Sequence, residues 1–287
     1  MAVPVSPVPA AVSTVEEIEA ELLLEALYRM YGTDLRAMER TALRPRLVAF
    51  MRRRGLASLS AVQAEALHDQ ALGVELLRCL CLRPAALFDD PARIALLRQT
   101  LGPWLRSCPV ARVWISECSG AEDVYTLAIL LREEGFYDKT LLFATAASEA
   151  MLDAARTGRF HASELGRYQQ NYLRSGGRHT LADYLVSGEP DAEGNLSFRP
   201  ELGRNIIWAQ YNLATDATFN EFQLIVCRGA LSDLQPALRE RALRLFHESL
   251  AVFGYLSVHP ADALNLLPND VDFRAVHADS GLYRRIR

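Results

Sequence analysis

Apolar residues at Ile18, Leu22, Leu23, Ala26, Leu27 and Met30 recur every three or four positions, the spacing of one buried helical face. Thr14 and Glu17 stand just ahead of that run as a capping box, so a helix is predicted from Thr14. The same periodicity predicts helices over 43–54, with Gly55 as a C-terminal cap, over 61–68 and over 73–81. Asp90 and Pro91 supply an N-cap and a first-turn proline for a further helix through Leu105. No alternating run interrupts this stretch, so the first hundred residues read as an all-helical unit. A Pro-rich flexible tail is expected over 1–13.

At Ala111 the pattern changes. Short apolar strands are predicted at 112–116, 140–145, 206–211, 222–227 and 254–258. Helices are predicted between them at 122–134, 148–156 and 236–251. Strands alternating with helices of this length predict a parallel, doubly wound α/β sheet. Segments 272–277 and 282–286 flank Asp279, Ser280 and Gly281, a hairpin signal. Between 158 and 204 the alternation is broken by an insertion. It carries a polar helix over 165–173 and a predicted hairpin pairing 180–185 with 195–198.

Composition narrows the function. Half of the 287 residues are hydrophobic and 23% are charged, enough apolar surface to bury real cores. A net charge of −4 argues against a general nucleic-acid binder. Cys79, Cys81, Cys108, Cys118 and Cys227 form no CxxC pair, so neither a zinc site nor a disulfide framework is expected. His161, His179 and His259 stand singly, and no metal is expected. No apolar run approaches the ~18–20 residues that span a bilayer, and the N-terminal segment lacks a signal-peptide pattern. A cytoplasmic protein without membrane insertion is the expectation. A G-x-S-x-G nucleophile elbow is absent around Ser116 and Ser119, which leaves no basis for hydrolase chemistry.

Several motifs point the same way when taken in order. They are W-I-S-E-C-S-G-A-E-D-V-Y over 114–125, A-T-A-A-S over 144–148 and A-R-T-G-R-F over 155–160. Asn212-Leu213, C-R-G-A-L-S-D-L over 227–234 and Y-R-R over 283–285 complete the series. Their order and spacing resemble CheR-type chemotaxis receptor methyltransferases, which use S-adenosylmethionine to methylate glutamates on receptor helices. The resemblance implies a Rossmann-like class I methyltransferase sheet with a small inserted β subdomain, preceded by an all-helical N-terminal domain. It implies a helical domain over 14–90 and an α/β domain over 91–287, with the insertion at 158–204. Ligands of such sheets sit outside the carboxyl ends of the strands. The matching cofactor-facing positions are Asp123, Asn212 and Leu213.

The departures from the family pattern concentrate at that same place. Glu117 and Ala121 stand where the family has glycines, with Gly120 between them in place of threonine. Glu117 adds bulk and negative charge beside the methionine carboxylate of the expected ligand. Ala146 replaces an acidic residue that accepts hydrogen bonds from both ribose hydroxyls, worth about 1.5–3 kcal/mol each. Arg83, Ala85 and Asp89 replace asparagine, threonine and arginine, and Gly229 and Asp233 replace asparagine and tyrosine. The expectation is a CheR-like protein with no catalytic residues and no cofactor, acting as a binding or regulatory module. The alternative is a divergent methyltransferase that binds S-adenosylmethionine or S-adenosylhomocysteine through Asp123 and Asn212. A third possibility is another nucleotide held by Arg83 and Arg228. The implied partner is a protein, such as acidic receptor-like helices. Arg44, Arg46, Arg52 and Arg53 are the candidate contacts, set against a simple solvated helix face.

Overall fold

The computed structural model describes residues 14–81, 85–147, 149–259, 272–278 and 280–287. The predicted tail over 1–13, Arg83, Ser148 and Asp279 lie outside the described residues. The chain divides into two compact units. One takes the chain up to Arg36 and Leu43–Leu80; the other takes Ala37–Ala42 and Cys81–Arg287.

The first unit is helical. Helix α1 (Val15–Tyr31) opens on the Thr14–Glu17 capping box and closes at Gly32 in the left-handed conformation. Helix α2 (Arg40–Arg54) begins in the second unit's short segment and continues into the first. Helices α3 (Leu59–His68) and α4 (Gln70–Cys81) follow, and α4 starts three residues before the predicted Gly73. Its earlier start comes from Asp69, whose carboxylate accepts from the Ala71 and Leu72 backbone N–H groups. Leu23, Leu24 and Leu27 of α1 are buried, as are Leu43, Leu47 and Phe50 of α2.

The second unit holds a seven-stranded sheet. Helix α5 (Pro91–Leu105) leads to β1 (Ala111–Ser116), helix α6 (Ala121–Glu133), β2 (Thr140–Ala146) and helix α7 (Glu149–Arg156). After the insertion come β5 (Ile206–Gln210), β6 (Phe222–Cys227), the short α9 (Ala230–Asp233) and α10 (Pro236–Ser249). The unit ends with β7 (Leu250–Val258), β8 (Phe273–Ala275) and β9 (Leu282–Arg285). The strand order is β5-β2-β1-β6-β7-β9-β8. β5, β2, β1, β6 and β7 are mutually parallel, and β9 runs antiparallel to both of its neighbours. This is the Rossmann-like class I methyltransferase sheet. Its central strands are buried on both faces, so they read as mostly apolar runs. Val113 and Ile115 pack with α5 and α6 residues, while Trp114 joins Leu243 and Phe246 of α10 on the opposite face.

The insertion differs from its prediction. β4 (Asn195–Ser197) pairs antiparallel with β3 (Arg159–His161), not with residues 180–185. Leu181–Tyr184 is a 3-10 turn, closed by a capping box between Thr180 and Asp183, and only Leu185 bridges Phe198. The local cap overrides the alternating pattern, and a partner more than thirty positions upstream takes the strand. Helix α8 (Leu165–Arg174) buries Tyr168 and Tyr172, whose hydroxyls donate to Glu122 and Glu133 of α6. Arg98 of α5 ion-pairs with Glu133 and Glu134, so α5, α6 and the insertion are tied through one buried charged cluster. Among the described residues, no helix is long and apolar enough to cross a membrane.

Candidate functional site

The carboxyl end of β1 turns sharply into α6. Cys118 N–H donates to the Thr145 carbonyl at 2.8 Å, and Ser119 N–H donates to Asp123 Oδ2 at 2.9 Å. Glu117 adopts φ +53°, a left-handed conformation that β-carbon sterics disfavour outside glycine. The turn therefore holds a carboxylate-bearing residue in a backbone conformation that suits glycine. Gly120 does not restore room. A Cβ there would lie 2.7 Å from Glu122 Oε2 and 3.2 Å from Ala85 Cβ, because the Glu122 side chain already fills that space.

Glu117 lines a cleft between α5 and the carboxyl ends of β1 and β6. The cleft measures about 410 Å³ only when its open mouth is included, and little of that space is enclosed. Asp89, Arg93, Asp123 and Arg228 put charge into it, and Ile94, Leu97, Ile115, Leu127 and Val226 form apolar walls. Arg228 spans it: Nη2 lies 2.8 Å from Asp89 Oδ2, and Nη1 lies 2.9 Å from Asp123 Oδ1. The contact with Asp123 is an ion pair rather than an aligned hydrogen bond. Asp89, where the family presents a cation, thus pairs with a guanidinium of its own chain.

Arg93 was not legible as a site residue. It is buried, bonds Ser257 Oγ at 2.8 Å through Nη1 and pairs with Asp90 at 3.2 Å through Nε. Burial pulls its guanidinium below the usual arginine range, opposed by Asp90. Its signal was an arginine on the same helical stripe as Leu97, Leu101 and Leu105. Ser116 also lines the cleft, fully buried, with its Oγ unpaired. Burial raises the pKa of Glu122, opposed by hydrogen bonds from its own backbone N–H and from Tyr168. Burial also pushes the Cys118 thiol well up, with help from the Asp123 charge, which makes it a poor nucleophile.

The other predicted cofactor-facing residues are not brought to this cleft. Asn212 Oδ1 accepts from Ala214 N–H at 2.8 Å, and its backbone N–H donates to Asp216, so it organises its own turn. Leu213 is buried in the core beside α10, and its carbonyl accepts from Arg241. Ala146 is fully buried, packed with Leu152 and the half-buried Cys81 and Trp208. Gly229 has φ +66°, a conformation an asparagine also tolerates. In the first unit, Arg44 pairs with Glu16, Arg53 and Arg54 with Glu75, and Arg46 donates to the Leu80 carbonyl. Arg52 is exposed on the same helix. No group of three or more metal-binding side chains occurs among the described residues.

Residues 85–281 match the model of the CheR methyltransferase, SAM binding domain. The chain is 34% identical to the putative methyltransferase Cher3 of Pseudomonas putida over 94% of this chain and 97% of that protein. It is 23% identical to chemotaxis protein methyltransferase 1 of Pseudomonas aeruginosa, over 93% and 97% of the two chains. A chemotaxis protein methyltransferase of Listeria innocua is 24% identical over 80% of this chain and 84% of its own length. With the sheet order and the motif order, these matches show that the chain belongs to the CheR methyltransferase family.

Proposed function

We propose that this CheR-family chain no longer transfers methyl groups and acts as a binding or regulatory module in bacterial signalling, located in the cytoplasm. The observation that carries this reading is the ion triad of Asp89, Arg228 and Asp123 across the cleft at the carboxyl end of β1. Here the family's cofactor needs small residues and a free approach to backbone. This chain offers a glutamate and three charged groups engaged with one another. At the end of β2, Ala146 has no side-chain atom to accept a ribose hydroxyl, and the side chains of its neighbours Leu152 and Trp208 add no acceptor. Asp123, Asn212 and Leu213 are then structural remnants of a cofactor site.

The partner is proposed to be a protein, either receptor-like helices or another signalling component. The names of the relatives as chemotaxis methyltransferases support that direction. Domains over 14–90 and 91–287, the latter bearing the 158–204 insertion, would supply separate contact surfaces. Calorimetry of the full chain with S-adenosylmethionine and S-adenosylhomocysteine tests the central point. No saturable heat is expected, and micromolar binding of either compound overturns the reading.

One observation favours a second reading, a divergent methyltransferase. Asp123 keeps a carboxylate near the position of the family glutamate and holds the turn through Ser119 N–H. Transfer of a labelled methyl group to a receptor fragment, abolished by Asp123→Ala, would establish it.

A further inference from the structure

Arg274 of β8 stands directly opposite Arg284 of β9, and Arg284 stands opposite Tyr255 of β7, so the three side chains share one face of the sheet. Like charges placed opposite each other on neighbouring strands repel. Among the described residues no carboxylate pairs with either arginine, and Arg274 is exposed. Arg284 donates through Nε to the Phe253 carbonyl at 3.3 Å, and its Cζ lies 4.8 Å from the centre of the Phe253 ring. A carbonyl and a ring hold the guanidinium in place without neutralising it. Phe253 is itself unusual. The β6 residue Gln223 lies opposite residues 251–254 of β7, which therefore bulge. Gly254 closes the bulge, where a Cβ would lie 2.8 Å from the Ala251 carbonyl oxygen. The bulge puts Phe253 at φ +68° and leaves it 47% exposed, with Val252 exposed beside it. A bulky residue in the left-handed region costs free energy, and here burial of the ring does not offset that cost.

We propose that Arg274, Arg284 and Phe253 form a docking surface for an acidic protein segment that carries an apolar side chain beside its carboxylates. The carboxylates pair with the two guanidiniums, and the apolar side chain packs on the Phe253 ring. Charge complementarity selects this occupant: the chain as a whole carries −4, yet this face presents two positive charges with no counter-ion among the described residues. Arginine and aromatic side chains are also the groups that dominate binding energy at protein interfaces. The row of Val113, Leu224, Tyr255 and Arg284 crosses the amino-terminal half of the parallel strands, whereas the cleft opens at their carboxyl ends. The inference therefore rests on the reading that the partner is a protein, and not on the fate of the cofactor site.

The test is fluorescence anisotropy of the full chain with a short labelled peptide of glutamate, leucine and phenylalanine. A second peptide carries glutamine in place of every glutamate, and vesicles of phosphatidylglycerol are tested by cosedimentation. The acidic peptide is expected to bind saturably and more weakly as salt is raised, and the glutamine peptide to bind at least tenfold more weakly. Arg274→Gln removes a charge that pairs with nothing in the free protein, and should weaken the acidic peptide about fivefold; Arg274→Glu should weaken it further. Phe253→Gly relieves the left-handed residue, so its melting temperature should not fall while its affinity drops several-fold. Arg52→Glu, on the exposed face of α2, should leave the affinity unchanged. Absence of saturation by the acidic peptide at millimolar concentration overturns the proposal, as does unchanged affinity in both Arg274→Glu and Phe253→Gly. Loss of binding in Arg52→Glu instead moves the contact to α2 and overturns it as well. Vesicle binding abolished by Arg274→Glu, without peptide binding, overturns it in favour of a membrane surface. None of these failures touches the loss of methyl transfer, which calorimetry with S-adenosylmethionine decides.

Discussion

β1 and β2 are neighbouring parallel strands, yet their carboxyl ends have diverged in opposite directions. β1 ends in charge: Glu117 in a left-handed turn, Asp123 behind it and Arg228 reaching across from β6. β2 ends in an apolar pocket where Ala146 is sealed against Leu152, Cys81 and Trp208. Here the β1 end is polar, with its charges paired within the chain, whereas the β2 end packs as ordinary core. A carboxylate can be dropped from a strand end when its only partner was a ligand. Where protein charges face one another, each replacement must be balanced by another, and the Asp89–Arg228–Asp123 triad shows that balance.

The comparison can be broken first at β2. Ala146→Asp places an unpaired carboxylate in a fully buried apolar cluster and should cost about 4 kcal/mol by chemical denaturation. A near-neutral result would show that an open polar subsite survives there. At β1, Arg228→Ala leaves the 6% exposed Asp123 carboxylate without its counter-ion and should cost about 2–3 kcal/mol. Asp89→Ala, at a side chain 47% exposed, should cost less than about 1 kcal/mol. Equal losses would mean that the triad is not anchored on Asp123.

A smaller effect of opposite sign is expected at the turn. Glu117→Gly relieves a left-handed non-glycine residue and should stabilise the protein by about 0.5–1 kcal/mol. Destabilisation instead would show that the Glu117 carboxylate contributes more than its backbone strain costs. The smallest effect concerns pH. Burial raises the pKa of Glu122 in the folded chain, so the folded state holds that proton more tightly than the unfolded state. Stability from this group is present below the ordinary carboxylate range and is lost as pH rises through the raised value. Glu122→Gln keeps an acceptor for Tyr168 and should flatten that part of the stability curve. An unchanged slope between wild type and variant would remove Glu122 from the account.

Much of the fold was legible along the chain because its signals are local. The Thr14–Glu17 cap, the Asp90-Pro91 helix start and the apolar runs of β1 and β6 each act within a few residues. The β3–β4 pairing was not legible, since an alternating stretch near 180–185 competed with a partner far upstream and a local cap decided between them. Glu117, Ala146 and Asp89 could be picked out as departures from a family motif. What those departures had become could not. Arg93 was hidden because a charged residue on an apolar stripe gives no hint of the Ser257 hydroxyl, 164 positions away, that its guanidinium reaches.

The sequence by itself determined the family, the alternation of helix and strand, and the positions that depart from the family's motif pattern. Those follow from periodicity, caps and motif order, which are properties of neighbouring residues. Only the tertiary structure decided that Arg228 bridges Asp89 and Asp123, that Asn212 and Leu213 do not line the cleft, and that Ser116 Oγ is left unpaired. Each depends on side chains brought together from distant strands. Charge pairing and hydrogen bonding act over a few ångströms in space, whatever the separation along the chain.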